Sequence, residues 1–180
     1  MEQVTYLHNF DRINELQDAL FNLISENKPL PDPNRICIQG LTDNESWDNN
    51  SKTNMRKRGI RNERHYAVLH KSLVGTIFDD IVQAYPQYYR WRLLNIPTGW
   101  NYPIHNDGPG NKRIHIPVTA NSECFLCFYD KPVTDGSVNT IQNYNLEAGK
   151  VYEIDSSSWH TAVNWGEQDR WHLIGIRTEI

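Results

Sequence analysis

The sequence lacks the features that define several protein classes. It contains no apolar run near the roughly 18 residues that a membrane-spanning helix needs, and its mean hydropathy is −0.68, so a transmembrane protein is excluded. The first residues show neither the basic nor the apolar segment of a secretory signal, and we expect none. Positive charge is not in excess, because the net charge is −4, which argues against nucleic acid and anionic membranes as partners.

Cysteine is scarce as well. The chain has 3 cysteines, and a disulfide framework would need more of them and an even number. We therefore expect a reducing, cytoplasmic location. Cys124 and Cys127 form a C-x-x-C pair within the apolar run Cys124–Tyr129, but no second pair accompanies them. Residues three apart on a strand point to opposite faces. We therefore interpret both as residues of a buried strand, with metal or redox chemistry as the less favoured alternative.

The 180 residues fit one domain, whose first part, residues 1–88, is expected to be helical and rich in loops. Apolar residues spaced by three or four predict a helix over Asp11–Ile24, and a four-residue repeat predicts another over Lys71–Tyr85. The segment Gly40–Arg64 between them is polar and has little periodicity. Its basic residues, at positions 52–64, are interpreted as a solvated face, with a positive rim for an acidic or phosphorylated partner as the alternative. These residues are Lys52, Arg56, Lys57, Arg58, Arg61 and Arg64.

The second part, residues 89–178, changes to short β-branched or aromatic segments separated by Gly, Pro, Asn and Asp. The predicted strands are Arg90–Ile96, Arg113–Thr119, Glu123–Tyr129, Val138–Tyr144, Lys150–Asp155, Trp159–Trp165 and Arg170–Thr178. Because no helical pattern lies between them, we expect an antiparallel sandwich or barrel rather than a parallel α/β sheet.

The most specific motif is His105-Asn106-Asp107. In an extended chain, residues i and i+2 share a face, so an imidazole and a carboxylate would project side by side. These are two of the three ligands of the 2-His-1-carboxylate triad, which binds Fe(II) on one face and leaves the opposite face open. His160 follows after several strand signals and is the candidate third ligand.

Arg170 follows His160 at a distance that allows a turn and a neighbouring antiparallel strand. If that strand directs the arginine inward, its charge needs an anion, because an unpaired buried charge is very costly. We hypothesise that a dicarboxylate cosubstrate supplies it, with one end on the metal and the other in a bidentate contact with Arg170.

These residues resemble a known family. The stretches His105–His115 and Leu146–Asp155, followed by His160 and Arg170, are similar to the aspartyl/asparaginyl β-hydroxylase domain of the Fe(II)/2-oxoglutarate-dependent dioxygenases. The resemblance covers about half the chain. It implies a double-stranded β-helix (jelly roll, cupin-like) and does not extend to the first 85 residues. We expect a mainly β fold in which the predicted N-terminal helices pack on this core. The resemblance further implies Fe(II) as cofactor, 2-oxoglutarate and O2 as cosubstrates, and succinate and CO2 as products.

The resemblance also assigns roles to single residues. His105 and His160 would bind the metal, Arg170 would bind the distal carboxylate of 2-oxoglutarate, and Arg113 and His115 would contact the cosubstrate near the metal. Animal members of the family have glycine where this chain has Asp107, so the full triad is present here, as in the wider superfamily. This difference strengthens the expectation of metal binding and weakens any transfer of the family's substrate range.

Several functions remain open at this point. The favoured one is hydroxylation of a side chain of a peptide or protein, and the runner-up is the same chemistry on a free amino acid or another small molecule. A cupin-like metal enzyme with another cosubstrate and a non-catalytic jelly-roll binding module are the alternatives. Specificity is expected in Gly40–Arg64 and in the loop Asp130–Gly136, since binding residues concentrate on loops.

Two further sets of neighbours are candidates for supporting roles. Asn106, Thr161 and Asn164 are candidates for orienting the ligand imidazoles. The aromatic residues that flank the ligands are interpreted as packing residues, with a wall that holds the substrate or screens the metal as the alternative. They are Trp100, Tyr102 and Trp159.

Overall fold

The computed structural model describes residues 2–48, 52–60, 62–119, 122–130 and 139–178, without the side chains of residues 52 and 141. Three α-helices lie in the first half of the chain: α1 (Ile13–Glu26), α2 (Lys52–Lys57) and α3 (Ile77–Ala84). Two short 3-10 turns, Glu63–His65 and Lys71–Leu73, lie between them.

Strands form the rest of the described structure. They are β1 (Val4–Asn9), β2 (Arg35–Cys37), β3 (Gln39–Gly40), β4 (Val68–Leu69), β5 (Tyr89–Ile96), β6 (Trp100–Asn101), β7 (Asn111–Pro117), β8 (Cys124–Tyr129), β9 (Thr140–Tyr144), β10 (Lys150–Asp155), β11 (Trp159–Asn164) and β12 (Arg170–Thr178). The predicted strand segments are therefore confirmed to within a few residues, except that position 138 lies outside the described residues.

The eight strands β5–β12 alternate between two antiparallel sheets. One sheet has the order β1-β10-β7-β12-β5-β2 and the other the order β6-β11-β8-β9, while β3 and β4 form a separate pair. From β5 to β12 the chain changes sheet at every step except between β8 and β9, which pair with each other. This winding defines the double-stranded β-helix. The predicted fold class is confirmed.

The six-stranded sheet is covered by the helices on one face and by the four-stranded sheet on the other. Apolar residues of α1 and α3 pack on the outward side chains of β5, β7 and β12, which include Trp91, Leu93 and Leu173. A β-carbon on Gly175 would lie 2.7–2.9 Å from the Trp91 ring, so β12 must carry glycine there for the indole to cross it. Residues on the opposite face of β5 and β12 point into the space between the sheets.

The first half of the chain contributes more than helices and loops. Helix α1 is confirmed, and the second predicted helix is confirmed only from Ile77, because Gly75 adopts a left-handed φ of 76° that interrupts the helix after the Lys71–Leu73 turn. Strands β1 and β2, which the sequence analysis did not predict, pair with β10 and β5 at the two edges of the six-stranded sheet. They are short, and β1 is mostly exposed, so their sequence pattern is weak.

Both cysteines of the C-x-x-C pair lie on β8 and are buried, as the core-strand interpretation predicted. Among the described residues, no helix is long and apolar enough to cross a membrane.

Candidate metal and cosubstrate site

The three predicted metal ligands meet at one end of the space between the sheets. One ligand atom from each of His105, Asp107 and His160 lies within 4.8 Å of the other two. His105 precedes β7 in an extended segment that pairs with β11. Its N–H donates to the carbonyl of His160 at 2.9 Å, and the N–H of His160 returns the bond at 2.8 Å. This two-residue bridge brings the imidazole rings to a centroid distance of 4.5 Å.

The backbone fixes the third ligand in the same way. The N–H of Asp107 donates to the carbonyl of Ser156 at 2.9 Å, at the end of β10. The next residue, Gly108, has a φ of 93°, which glycine adopts easily and which turns the chain toward β7. The i, i+2 spacing of His105 and Asp107 thus places their side chains close together. The backbone of His105 is held by β11, and that of Asp107 is held by the residue that follows β10.

Both ligand imidazoles are oriented by backbone carbonyls. Nδ1 of His105 lies 2.8 Å from the carbonyl oxygen of Pro103, and Nδ1 of His160 lies 2.8 Å from that of Ser158. Since a carbonyl only accepts, each Nδ1 carries the proton, and the lone pair remains on Nε2. Burial also lowers the pKa of His160 to about 4, so its ring is neutral at pH 7.

This arrangement corrects the expectation about which residues orient the ligands. Thr161 donates to the carbonyl of Tyr102, and Asn164 donates to the carbonyls of Ile96 and Gln168. Asn106 accepts from the N–H of Gly108 at 3.2 Å. All three support the backbone near the ligands, and none of these bonds reaches an imidazole. Sequence cannot reveal main-chain partners of this kind, because any residue type supplies a carbonyl.

Arg113 lies beside the carboxylate ligand. Its Nη2 forms an ion pair with Oδ2 of Asp107, and both side chains are largely buried. The guanidinium charge favours the ionised carboxylate. Arg113 and His115 lie on the same face of β7, and both line the cavity between the sheets. Their contact with a cosubstrate stays a prediction.

An inner cavity of about 60 Å³ extends from the triad between the sheets. Arg170 lies in its wall with 3% of its surface exposed, which confirms that β12 directs it inward. Its Nε donates to Nε2 of His172 at 2.7 Å, while its Nη1 is buried without a hydrogen-bond partner. Among the described residues no carboxylate pairs with it. An anion is therefore the group that this guanidinium lacks.

His172 is a site residue to which the sequence analysis gave no role. It lies on the same face of β12 as Arg170, and its Nδ1 is 3.3 Å from Nδ1 of His115. Burial, followed by the charge of Arg170, lowers the pKa of His172 well below the usual histidine value, so the ring stays neutral and accepts from the arginine. Burial likewise lowers the pKa of Arg170 to about 10, which leaves it charged at pH 7.

The aromatic residues and the basic segment are only partly connected to the site. Tyr102 lines the inner cavity. Trp100 is 41% exposed, and its ring packs edge-on against the ring of Tyr102. In the basic segment, Arg58 pairs with Glu45 at 2.8 Å, and Arg64 donates to the carbonyl of Thr178 at 2.8 Å. The structure does not describe residue 61, residues 131–136 or the side chain of residue 52. A role of the loop Asp130–Gly136 in substrate specificity therefore stays a prediction.

Comparisons with known proteins show the same fold. The chain resembles HygX from Streptomyces hygroscopicus, solved with nickel and 2-oxoglutarate bound, with a TM-score of 0.59 and 10% identity over 97% of this chain and 81% of that one. It resembles AviO1 from Streptomyces viridochromogenes Tue57, with a TM-score of 0.57 and 12% identity over 99% and 90%. EvdMO1 matches with a TM-score of 0.59 and 14% identity, over 99% of this chain and 47% of that one. The sequence matches no protein-family model and no curated protein.

The residues present fit a divalent metal. Two imidazoles whose Nδ1 atoms face backbone carbonyls, together with one carboxylate, form a ligand set of the kind that non-haem iron sites use. The imidazoles already have the hydrogen-bonded Nδ1–H that accompanies ligating histidines.

Proposed function

We propose that this chain is an Fe(II)- and 2-oxoglutarate-dependent oxygenase that hydroxylates its substrate. The observation that carries the proposal is the placement of a His-Asp-His ligand set at the mouth of a cavity that holds an unpaired, buried arginine. The likeness to HygX, whose structure contains nickel and 2-oxoglutarate, supports it at the level of the fold.

The overall reaction would consume R–H, 2-oxoglutarate and O2 and yield R–OH, succinate and CO2. His105, Asp107 and His160 would hold the metal, which when bound supplies oxygen activation coupled to the decarboxylation of 2-oxoglutarate. The tasks of the other residues follow from their positions.

Arg170 would bind the distal carboxylate of 2-oxoglutarate through a charge-assisted, two-pronged contact. His172 accepts from its Nε and so fixes the plane of the guanidinium. Arg113 holds Asp107 in its ionised form. The apolar part of the cavity wall, which includes Leu126, would leave little room for water around a bound cosubstrate and so strengthen its contact with Arg170.

The proposed substrate is a side chain of a peptide or protein, as the resemblance to aspartyl/asparaginyl β-hydroxylase domains implies. A free amino acid or another small molecule is the second candidate. It is favoured by the volume of the outer pocket described below, about 390 Å³, which falls in the range of small-molecule sites.

An anaerobic thermal melt tests the proposal. Mn(II) or Fe(II) should raise the unfolding midpoint, and 2-oxoglutarate should raise it further only when the metal is present. A ligand at 100 times its dissociation constant contributes about 2.7 kcal/mol, which is roughly 5–10 °C for a chain of this size. Admitting O2 with substrate should then release succinate.

Two other results of this melt would favour a different function. A shift with metal and none with 2-oxoglutarate would favour a cupin-like enzyme with another cosubstrate. No shift with either would favour a binding module and contradict the proposal.

A further inference from the structure

A second pocket opens on the outer side of the candidate metal site. It has a volume of about 390 Å³ and shares part of its wall, including Tyr102, His105 and Arg113, with the inner cavity. Its remaining wall is unusually basic, because three more arginines, Arg35, Arg90 and Arg92, line it.

Three of its four arginines have an acidic partner. Besides the Arg113–Asp107 pair, Arg90 pairs with Glu63 at 2.8 Å and Arg35 pairs with Asp32 at 3.5 Å. Among the four arginines, this leaves Arg92 to be considered.

Arg92 has no such partner among the described residues. It is 5% exposed, and its Nε is buried without a hydrogen bond. The Nε atoms of Arg35 and Arg113 are also buried without an acceptor. The pocket thus contains one uncompensated positive charge and three N–H groups that lack acceptors. Since buried polar groups are nearly always paired, a missing acceptor is the simplest explanation.

The geometry of strand β5 directs Arg92 away from the helix-covered core. Strand β5 is buried on both faces, with Trp91 and Leu93 in the core under the helices and Arg92 facing the opposite way. The register of β5 with β12 shifts beside Arg90, which has a left-handed φ of 55°. Such irregularities concentrate near functional sites, where they redirect a side chain.

An apolar residue at position 92 would stabilise the fold better than an unpaired guanidinium. Burial, followed by the charges of Arg90 and Arg113, lowers the pKa of Arg92 well below its usual value, which reflects the same cost. The neighbouring Leu94 on the same face shows that an aliphatic side chain is accommodated there. A ligand that supplies the missing acceptor would offset this cost.

We propose that Arg92, together with Arg35 and Arg113, binds an oxyanion carried by the substrate, either a carboxylate or a phosphate ester. The inference rests on the proposed function, since it assigns this pocket to the molecule that is hydroxylated. It separates two anion sites on either side of the ligand set: Arg170 in the inner cavity for 2-oxoglutarate, and Arg92 in the outer pocket for the substrate. A guanidinium fork suits both oxyanions.

The test uses inorganic phosphate and acetate as probes of the metal-free protein, so that neither metal nor turnover is needed. Arg92→Met is compared with Arg12→Met, which removes an exposed arginine paired with Glu15 and Asp80. Binding is followed by the concentration dependence of the unfolding midpoint. At least one probe should bind the wild type and Arg12→Met saturably, and Arg92→Met should bind it about 30-fold more weakly or worse.

The ranking of the two probes identifies the source of the oxyanion. Stronger binding of phosphate indicates a phosphate ester, and stronger binding of acetate indicates a carboxylate. Arg92→Lys keeps the charge but loses the fork, and it should fall between wild type and Arg92→Met. It also serves as the test if Arg92→Met does not fold.

A second arm keeps this inference separate from the proposed function. Arg92→Met with Mn(II) should bind 2-oxoglutarate within about threefold of the wild type, whereas the probes should still bind Arg170→Met. If neither probe binds the wild type, or both Arg92 variants bind like the wild type, the inference is overturned. Loss of 2-oxoglutarate binding in Arg92→Met would overturn it too. Failure of metal and 2-oxoglutarate to bind the wild type at all would instead contradict the proposed function.

Discussion

The inner cavity and the outer pocket each contain an arginine that has no carboxylate partner among the described residues, but they differ in what surrounds it. Arg170 donates to His172 in a cavity of about 60 Å³, whereas Arg92 lies in an arginine-lined pocket of about 390 Å³. The small cavity suits one compact cosubstrate in a fixed orientation. The larger pocket suits a substrate of greater size. On this basis we propose a different ligand for each pocket.

The largest effect should come from the proposed metal-ligand set, of which Asp107 lines the outer pocket. Asp107→Asn removes the anionic metal ligand but keeps its size, so Mn(II) affinity should fall by at least about 100-fold while the fold remains. The control is Asp18→Asn on the exposed face of α1. Metal titration with a far-UV circular dichroism melt checks both points. Unchanged metal affinity in Asp107→Asn would remove Asp107 from the site.

The next largest effect should separate the two arginines. Arg170→Met should weaken 2-oxoglutarate binding to the Mn(II)-loaded protein by about 30-fold or more while metal affinity stays the same. Because an uncompensated charge leaves the interior, the ligand-free variant should also melt at or above the wild-type temperature. Arg12→Met is the matched control. Equal 2-oxoglutarate affinity in Arg170→Met would mean that the inner cavity is not the cosubstrate site.

A smaller effect is expected from the residue that positions Arg170. His172→Phe removes the acceptor of the 2.7 Å bond, and 2-oxoglutarate affinity should fall about tenfold. His172→Asn offers an amide oxygen at a similar depth and should restore part of it. Titration of both variants separates positioning from general destabilisation, because a purely structural role would lower the melting temperature of both without this rescue.

The buried histidines should make the metal-free protein sensitive to acid. His160 titrates at about 4 in the fold and near 6.5 when unfolded, and burial lowers the pKa of His115 and His172 in the same direction. Between these values the unfolded chain binds more protons, so stability falls as the pH falls from 6.5 toward 4. The slope is up to about 1.4 kcal/mol per pH unit for each histidine.

Denaturant unfolding in the presence of a chelator, at half-unit pH steps, measures this slope. The control variant is His8→Gln, which removes an exposed imidazole instead of a buried one. A free energy of unfolding that is independent of pH between 6.5 and 4.5 would show that these rings are not buried in neutral form.

The sequence was sufficient to predict β5 and β7–β12, and to select the candidate site residues that have a characteristic spacing. His105, Asp107, His160 and Arg170 could be selected because the extended i, i+2 pattern and the later strand place them on inward faces. The edge strands β1 and β2 could not be predicted, because their pairing depends on strands that are distant in the chain. The Nδ1 partners of the ligands also escaped prediction, since they are carbonyls.

Arg92 had a signal that sequence reasoning did not use. It alternates with Trp91 and Leu93 on a strand whose apolar residues already predict burial on one face. The position of the second sheet decides whether the other face of β5 is exposed to solvent or buried. The sequence pattern alone does not predict that position. The same ambiguity applied to Arg113 and His115, and the structure places both in the enclosed space.

Calorimetric titration of 2-oxoglutarate under anaerobic conditions tests the central claim most directly. We expect saturable one-to-one binding to the Mn(II)-loaded wild type and at least about tenfold weaker binding without metal. In Arg170→Met, binding should be about 30-fold weaker or worse. Binding that is indifferent to both the metal and Arg170, or no binding at all, would contradict it.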